Sequence, residues 1–131
     1  MQRAQNACIR FIVNAGKSAH ITKYYNQLRL LKLEDRRTLA VAVLMWKVFK
    51  TKEPKYLYEM FSTLSSVNLR NNRASPDMLI IPHHRVEKYS KSFCVTACRV
   101  YNQYQIYNYK KCVHPSQLRK NVTELLLLKY K

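Results

Sequence analysis

Glycine is almost absent from this chain, one residue in 131. That scarcity excludes a Gly-rich phosphate loop, a collagen repeat, a flexible linker and the tight elbow that presents a nucleophilic serine. Carboxylates are also few: seven Asp and Glu in all. Only Glu34 and Asp35 adjoin, at a predicted helix start, where acids complement the helix dipole. The others (Glu53, Glu59, Asp77, Glu87, Glu124) are scattered, which leaves little material for paired-acid or two-metal chemistry. Long apolar runs are missing as well. The longest, residues 39–46, is eight residues, too short to span a bilayer. Arg3, Gln5, Asn6 and Arg10 interrupt any signal-peptide core near the start. The expectation is an intracellular chain, nuclear or cytoplasmic, whose four cysteines remain free thiols. No membrane partner and no cofactor are expected.

What is abundant is positive charge. Lys and Arg number 24, and the formal net charge is +17. Such a chain attracts polyanions, and Lys and Arg displace condensed counterions from phosphate. RNA or DNA, bound with low sequence specificity, is the first expectation. An acidic protein face comes second and an anionic membrane third. The plain alternative is a solvated surface that keeps the chain soluble. Ten Tyr, four Phe and one Trp in a chain that is 47% apolar argue against a disordered basic tail.

Hydrophobic spacing predicts a mainly α chain: one domain over residues 1–131, a small bundle of about five helices with a basic loop and a short β-hairpin around residues 62–89. Over residues 3–15, Ala4, Ala7, Cys8, Phe11, Ile12 and Ala15 share one helical face. Gly16 stands where a left-handed cap would end that helix, and Thr22 is placed to cap a short turn through Leu28. Over residues 33–50, Leu39, Val43, Trp46 and Phe49, with Ala42 and Leu44, form a wide stripe. Pro54 opens a short helix over residues 55–61. Serines and asparagines mark residues 62–78 as a loop, and residues 78–81 are expected to pair with 83–89. Ser90 or Ser92 begins another helix. Pro115 opens the last, striped by Leu118, Val122, Leu125 and Leu126.

Three constellations carry chemistry. Cys94, Cys98, Cys112 and His114 are nameable zinc ligands, but their spacing departs from the tight Cys-x2-Cys turn, and the thiols also suit a core. The expectation is therefore no metal site. The candidate nucleic-acid residues are Arg70, Arg73, His83, His84, Arg85, Lys88, Tyr89 and Lys91, joined by Lys47 and Lys50. Arginine forks suit phosphate, histidine reaches base edges or sugar, and Tyr89 offers a stacking face. Tyr101, Tyr104, Tyr107 and Tyr109, ahead of Lys110 and Lys111, suit either base stacking or the rim of a core.

Several short pieces, in order along the chain, resemble the C-terminal, post-thumb region of reverse transcriptases of non-LTR (LINE-type, jockey-like) retrotransposons of arthropod type. Met1-Gln2-Arg3-Ala4-Gln5-Asn6 resembles the family's "Leu-Gln-Arg-x-Gln-Asn" helix. Leu31-Lys32-Leu33-Glu34-Asp35-Arg36-Arg37 is similar to its "Leu-x-Leu-x-x-Arg-Arg" element. Pro54-Lys55-Tyr56-Leu57, Leu69-Arg70, Ile81-Pro82-His83-His84-Arg85 and Ser92-Phe93, with Ala97 and Arg99, resemble later pieces. The family's "Leu-Trp-Asn-x-Leu-Pro" reads here Val100-Tyr101-Asn102-Gln103-Tyr104. The resemblance implies RNA-directed DNA polymerisation for full-length members. The aromatic-x-Asp-Asp motif of that activity is absent from this sequence. The chain is accordingly expected to be a truncated, non-catalytic segment that holds nucleic acid. Its N-terminal helix would dock on the polymerase thumb and, alone, would leave an apolar stripe exposed. The competing expectation is a protein-interaction fragment or a host-retained basic protein without enzymatic role.

Overall fold

The computed structural model describes residues 1–67, 75–104 and 112–130. Among them are seven α-helices: α1 (Gln2–Ile12), α2 (Thr22–Gln27), α3 (Leu33–Thr51), α4 (Lys55–Glu59), α5 (Glu87–Ser90), α6 (Phe93–Tyr104) and α7 (Pro115–Leu127). Short 3-10 turns follow at Leu64–Val67 and Leu128–Tyr130. The mainly helical bundle foreseen from the spacing is what forms.

The longest helix, α3, is the spine, with α6 and α7 both packed on it. Its first turn carries Glu34 and Asp35 and its last carries Lys50, the polarity that favours the helix dipole. Because α3 is covered from two sides, its buried surface is wider than one stripe. Ala42, Val43, Met45, Trp46 and Val48 are all buried, whereas Leu44 is exposed. Leu118, Val122 and Leu126 of α7 are fully buried against it. Each contributes about 1.5–3 kcal/mol by leaving water. A second cluster joins Met45 to Phe61, Leu79, Ala97, Cys98 and Tyr101. Phe49 lies 4.7 Å from Tyr101, ring to ring.

With so little glycine, the chain ends helices on other residues. Asn14, Arg29 and Lys52 adopt the left-handed conformation, at φ of 50°, 50° and 58°. Asn14 takes the role expected of Gly16, whose φ is not positive. Asparagine tolerates this conformation because its short amide bonds locally. The Ala15 amide then closes on the Arg10 carbonyl at 2.9 Å. Thr22 lies inside α2, and Ile21 holds the capping position without a side-chain bond.

Helix α1 reverses the usual amphipathic arrangement. Ile9 is its one buried residue. Around it, polar side chains face the body of the protein. Gln2 donates from Nε2 to Asn6 Oδ1 at 2.9 Å and to the Tyr25 hydroxyl at 2.6 Å, while its Oε1 accepts the Leu33 amide at 2.9 Å. The Tyr25 hydroxyl donates to Asn6 Oδ1 at 2.6 Å, and Gln5 donates to the Leu31 carbonyl at 2.9 Å. Ala4, Ala7, Cys8, Phe11 and Ile12 are exposed.

Candidate nucleic-acid interface

The basic segment after residue 75 is held by side-chain mimicry of a strand. Asn102 of α6 accepts the Leu79 amide at 2.8 Å and donates to the Leu79 carbonyl at 2.9 Å. On its other edge Leu79 bridges Thr63 in antiparallel fashion, flanked by Ile80 N–Ser62 O and Leu64 N–Met78 O bonds of 2.9 Å. Residues 78–81 therefore pair with 62–65, not with 83–89. The reason is local: Pro82 removes a donor, and Glu87–Ser90 turns helical. The bridge is isolated, and no strand forms among the described residues.

Beyond Pro82 the structure gathers part of the predicted group. His84 Nδ1 lies 3.0 Å from the Pro82 carbonyl, and its Nε2 lies 3.3 Å from an Arg99 nitrogen. Arg99 can only donate, so His84 accepts at Nε2 and carries its hydrogen on Nδ1. The His84 and Tyr89 rings are 6.5 Å apart. Arg99 thus joins the site through helix geometry, from the middle of α6 and away from the loop that sequence singled out. His83, Arg85, Lys88 and Tyr89 are exposed on the same segment. Lys91 is exposed too, but it pairs with Glu87 at 2.7 Å. Arg70 and Arg73 lie outside the described residues, as do Tyr107, Tyr109, Lys110 and Lys111.

Lys47 and Lys50 sit on the last turns of α3. They line a wide groove of about 790 Å³ with Leu44, Trp46, Thr51, Glu53 and Pro54. Lys47 is exposed. Lys50 is tied into the fold, since its ammonium lies 4.5 Å from the Trp46 ring centroid and donates to the Val113 carbonyl. A third basic group escaped sequence reading. Arg29, Arg119 and Lys120, with Glu124 among them, line a groove of about 420 Å³ whose apolar lining is Leu39, Leu127 and Leu128. The Arg119-Lys120 pair was visible in the sequence. Its meeting with Arg29 depends on how α2 and α7 are packed.

Three of the seven carboxylates, by contrast, are answered from within. Asp35 accepts the Tyr130 hydroxyl and pairs with Lys129 at 3.5 Å. Glu59 pairs with Lys55 at 3.7 Å, as Glu87 does with Lys91.

Tyr101 and Tyr104 are buried, so of the two roles open to them they take the core one. Burial pushes the Tyr101 phenol up to about 12. Tyr130 is also pushed up to about 12, by burial first and then by its hydrogen bond to Asp35. Cys98 is raised to about 11, by burial and then by Cys94. The four nameable soft ligands do not gather into one site. Cys98 belongs to the second core cluster and Cys112 to the first. Cys94 is half-buried on α6, and His114 is exposed ahead of α7. Among the described residues no group of three or more metal-ligating side chains gathers, and no helix is long and apolar enough to cross a membrane.

No family model matches the chain, and neither curated proteins nor solved structures yield a match.

Proposed function

We propose that this chain binds the sugar–phosphate backbone of RNA or DNA without catalysing a reaction on it, in the manner of a segment following the polymerase of a non-LTR retroelement. The observation that carries the reading is uncompensated charge: 24 cations face seven carboxylates. Of those carboxylates, Asp35, Glu59 and Glu87 are engaged by the chain's own lysines. Arg85, Lys88 and Lys47 stand exposed, with Tyr89 beside the first two as a stacking face. Arginine and lysine so placed hold phosphates and confer little sequence preference. The retroelement assignment rests on the ordered motif pieces in the sequence.

The test is fluorescence anisotropy with labelled single-stranded and duplex oligonucleotides over a salt series. Contacts to about six phosphates predict an affinity loss of roughly a thousandfold between about 50 and 200 mM salt. Reversing Arg85 and Lys88 to Glu weakens binding and flattens the salt slope. Affinity indifferent to salt, or no binding in dilute buffer, overturns the proposal. DNA synthesis by the purified chain on a primed template overturns its non-catalytic part. The outward apolar face of α1 favours a second reading, a protein-docking fragment.

A further inference from the structure

Helix α1 is anchored by its polar side, so its apolar side is available to something else. Phe11 is 88% exposed, Ile12 62% and Met1 95%. Soluble surfaces carry single exposed apolar residues routinely, but a contiguous stripe marks an interaction site. The stripe has a recognisable relief. At 100° per residue Ala4, Ala7 and Phe11 lie along its middle, Cys8 and Ile12 on one flank, and Arg3 and Arg10 on the other. Ala4, Ala7 and Cys8 keep the surface low enough for another helix backbone to approach, with Phe11 as a projecting anchor.

The charge on that flank selects the occupant. The α1 sequence, QRAQNACIRFI, contains no acid. Arg3 is exposed on that flank and Arg10 is half-buried there. A second copy of this chain would bring another +17 and the same Arg3 and Arg10 edge, so like charges would meet. A lipid surface would gain little from Ala4, Ala7 and Cys8. Interfacial helices depend on large apolar residues across the inserted face. We propose that the outer face of α1 docks an amphipathic helix of another polypeptide, one whose apolar stripe is bordered by carboxylates that meet Arg3 and Arg10. This surface is separate from the basic segments assigned to nucleic acid, and it stands whether or not those bind.

The test uses the full chain and three synthetic peptides. One carries a Leu stripe bordered by Glu, one the same stripe bordered by Lys, and one the Glu composition with its apolar periodicity scrambled. The Glu-bordered peptide is expected to bind and to slow maleimide alkylation of Cys8, the exposed thiol on this face. Phe11→Ser, which leaves net charge unchanged, is expected to weaken it about thirtyfold, the loss typical of an interface anchor. Arg3→Glu with Arg10→Glu is expected to transfer preference to the Lys-bordered peptide. Unchanged circular dichroism of each variant separates these effects from unfolding. Equal binding of the scrambled peptide, or no effect of Phe11→Ser, overturns the proposal. So does a wild-type dimer in sedimentation that Phe11→Ser dissolves, or Phe11-dependent cosedimentation with anionic vesicles.

Discussion

The orientation of α1 can be tested by comparing two substitutions whose ranking reverses if the helix is turned around. Gln2→Ala removes two donated bonds, to Asn6 and the Tyr25 hydroxyl, and the acceptor of the Leu33 amide at the start of α3. Each such bond contributes about 0.5–1.5 kcal/mol net. The site is only part-buried, so water replaces some of the loss. The expected destabilisation is about 2 kcal/mol, or roughly 6–10 °C in Tm for a domain of this size. Phe11→Ser, at 88% exposure, is expected to change stability by no more than about 0.5 kcal/mol. In an ordinary amphipathic helix the order is the opposite: the phenylalanine matters and the glutamine does not. Urea denaturation of both variants, with equal m-values, reads the two numbers directly. A Gln2/Tyr25 double-mutant cycle then isolates their coupling, expected to be non-zero for groups in contact. If Phe11→Ser destabilised the protein by more than Gln2→Ala, the inward polar network would be refuted, and with it the docking face.

Other outcomes follow from the same geometry. Lys52→Gly is expected to stabilise by about 0.5–1 kcal/mol, because a left-handed residue with a Cβ is strained by about 1–2 kcal/mol while glycine adds some unfolded-state entropy; a lowered urea midpoint would count against the left-handed cap. Asn102→Ala removes both bonds to Leu79 and is expected to destabilise by about 1–2 kcal/mol, and to speed hydrogen exchange at the Leu79 amide; unchanged exchange would contradict this pairing. Tyr101 and Tyr130 have folded values of about 12 against an ordinary value of 10.0. Below that ordinary value both states keep the proton and the contribution to stability is complete. Between 10 and 12 the unfolded state loses its protons first, so stability falls as pH rises through this window. Thermal melts across that range check it, and a flat profile would contradict buried phenols.

Periodicity and proline placement made the longer helices legible, whereas α5 falls where a hairpin strand was expected. The α7 stripe of Leu118, Val122 and Leu126 and the prolines ahead of α4 and α7 are local features that appear where the spacing put them, while on α3 Met45 and Val48 are buried in addition and Leu44 is not. The scarcity of glycine and acid, and the excess of cations, are likewise complete statements about this chain before it folds. Direction was not legible. Spacing locates an apolar stripe on α1 but cannot say which side meets the rest of the protein. That choice was made by Tyr25 and the Leu33 amide, groups from other elements that Gln2 and Asn6 satisfy better than hydrocarbon does. Site membership was partly hidden for the same reason. His84 and Tyr89 are close in sequence, whereas Arg99 reaches His84, and Arg29 joins Arg119 and Lys120, only through the packing of helices. The sequence by itself determined the positions of the longer helices and the net charge, because both depend on neighbouring residues or on a simple sum. Only the tertiary structure decided which faces turned inward and which charges converged, because those outcomes depend on partners distant along the chain.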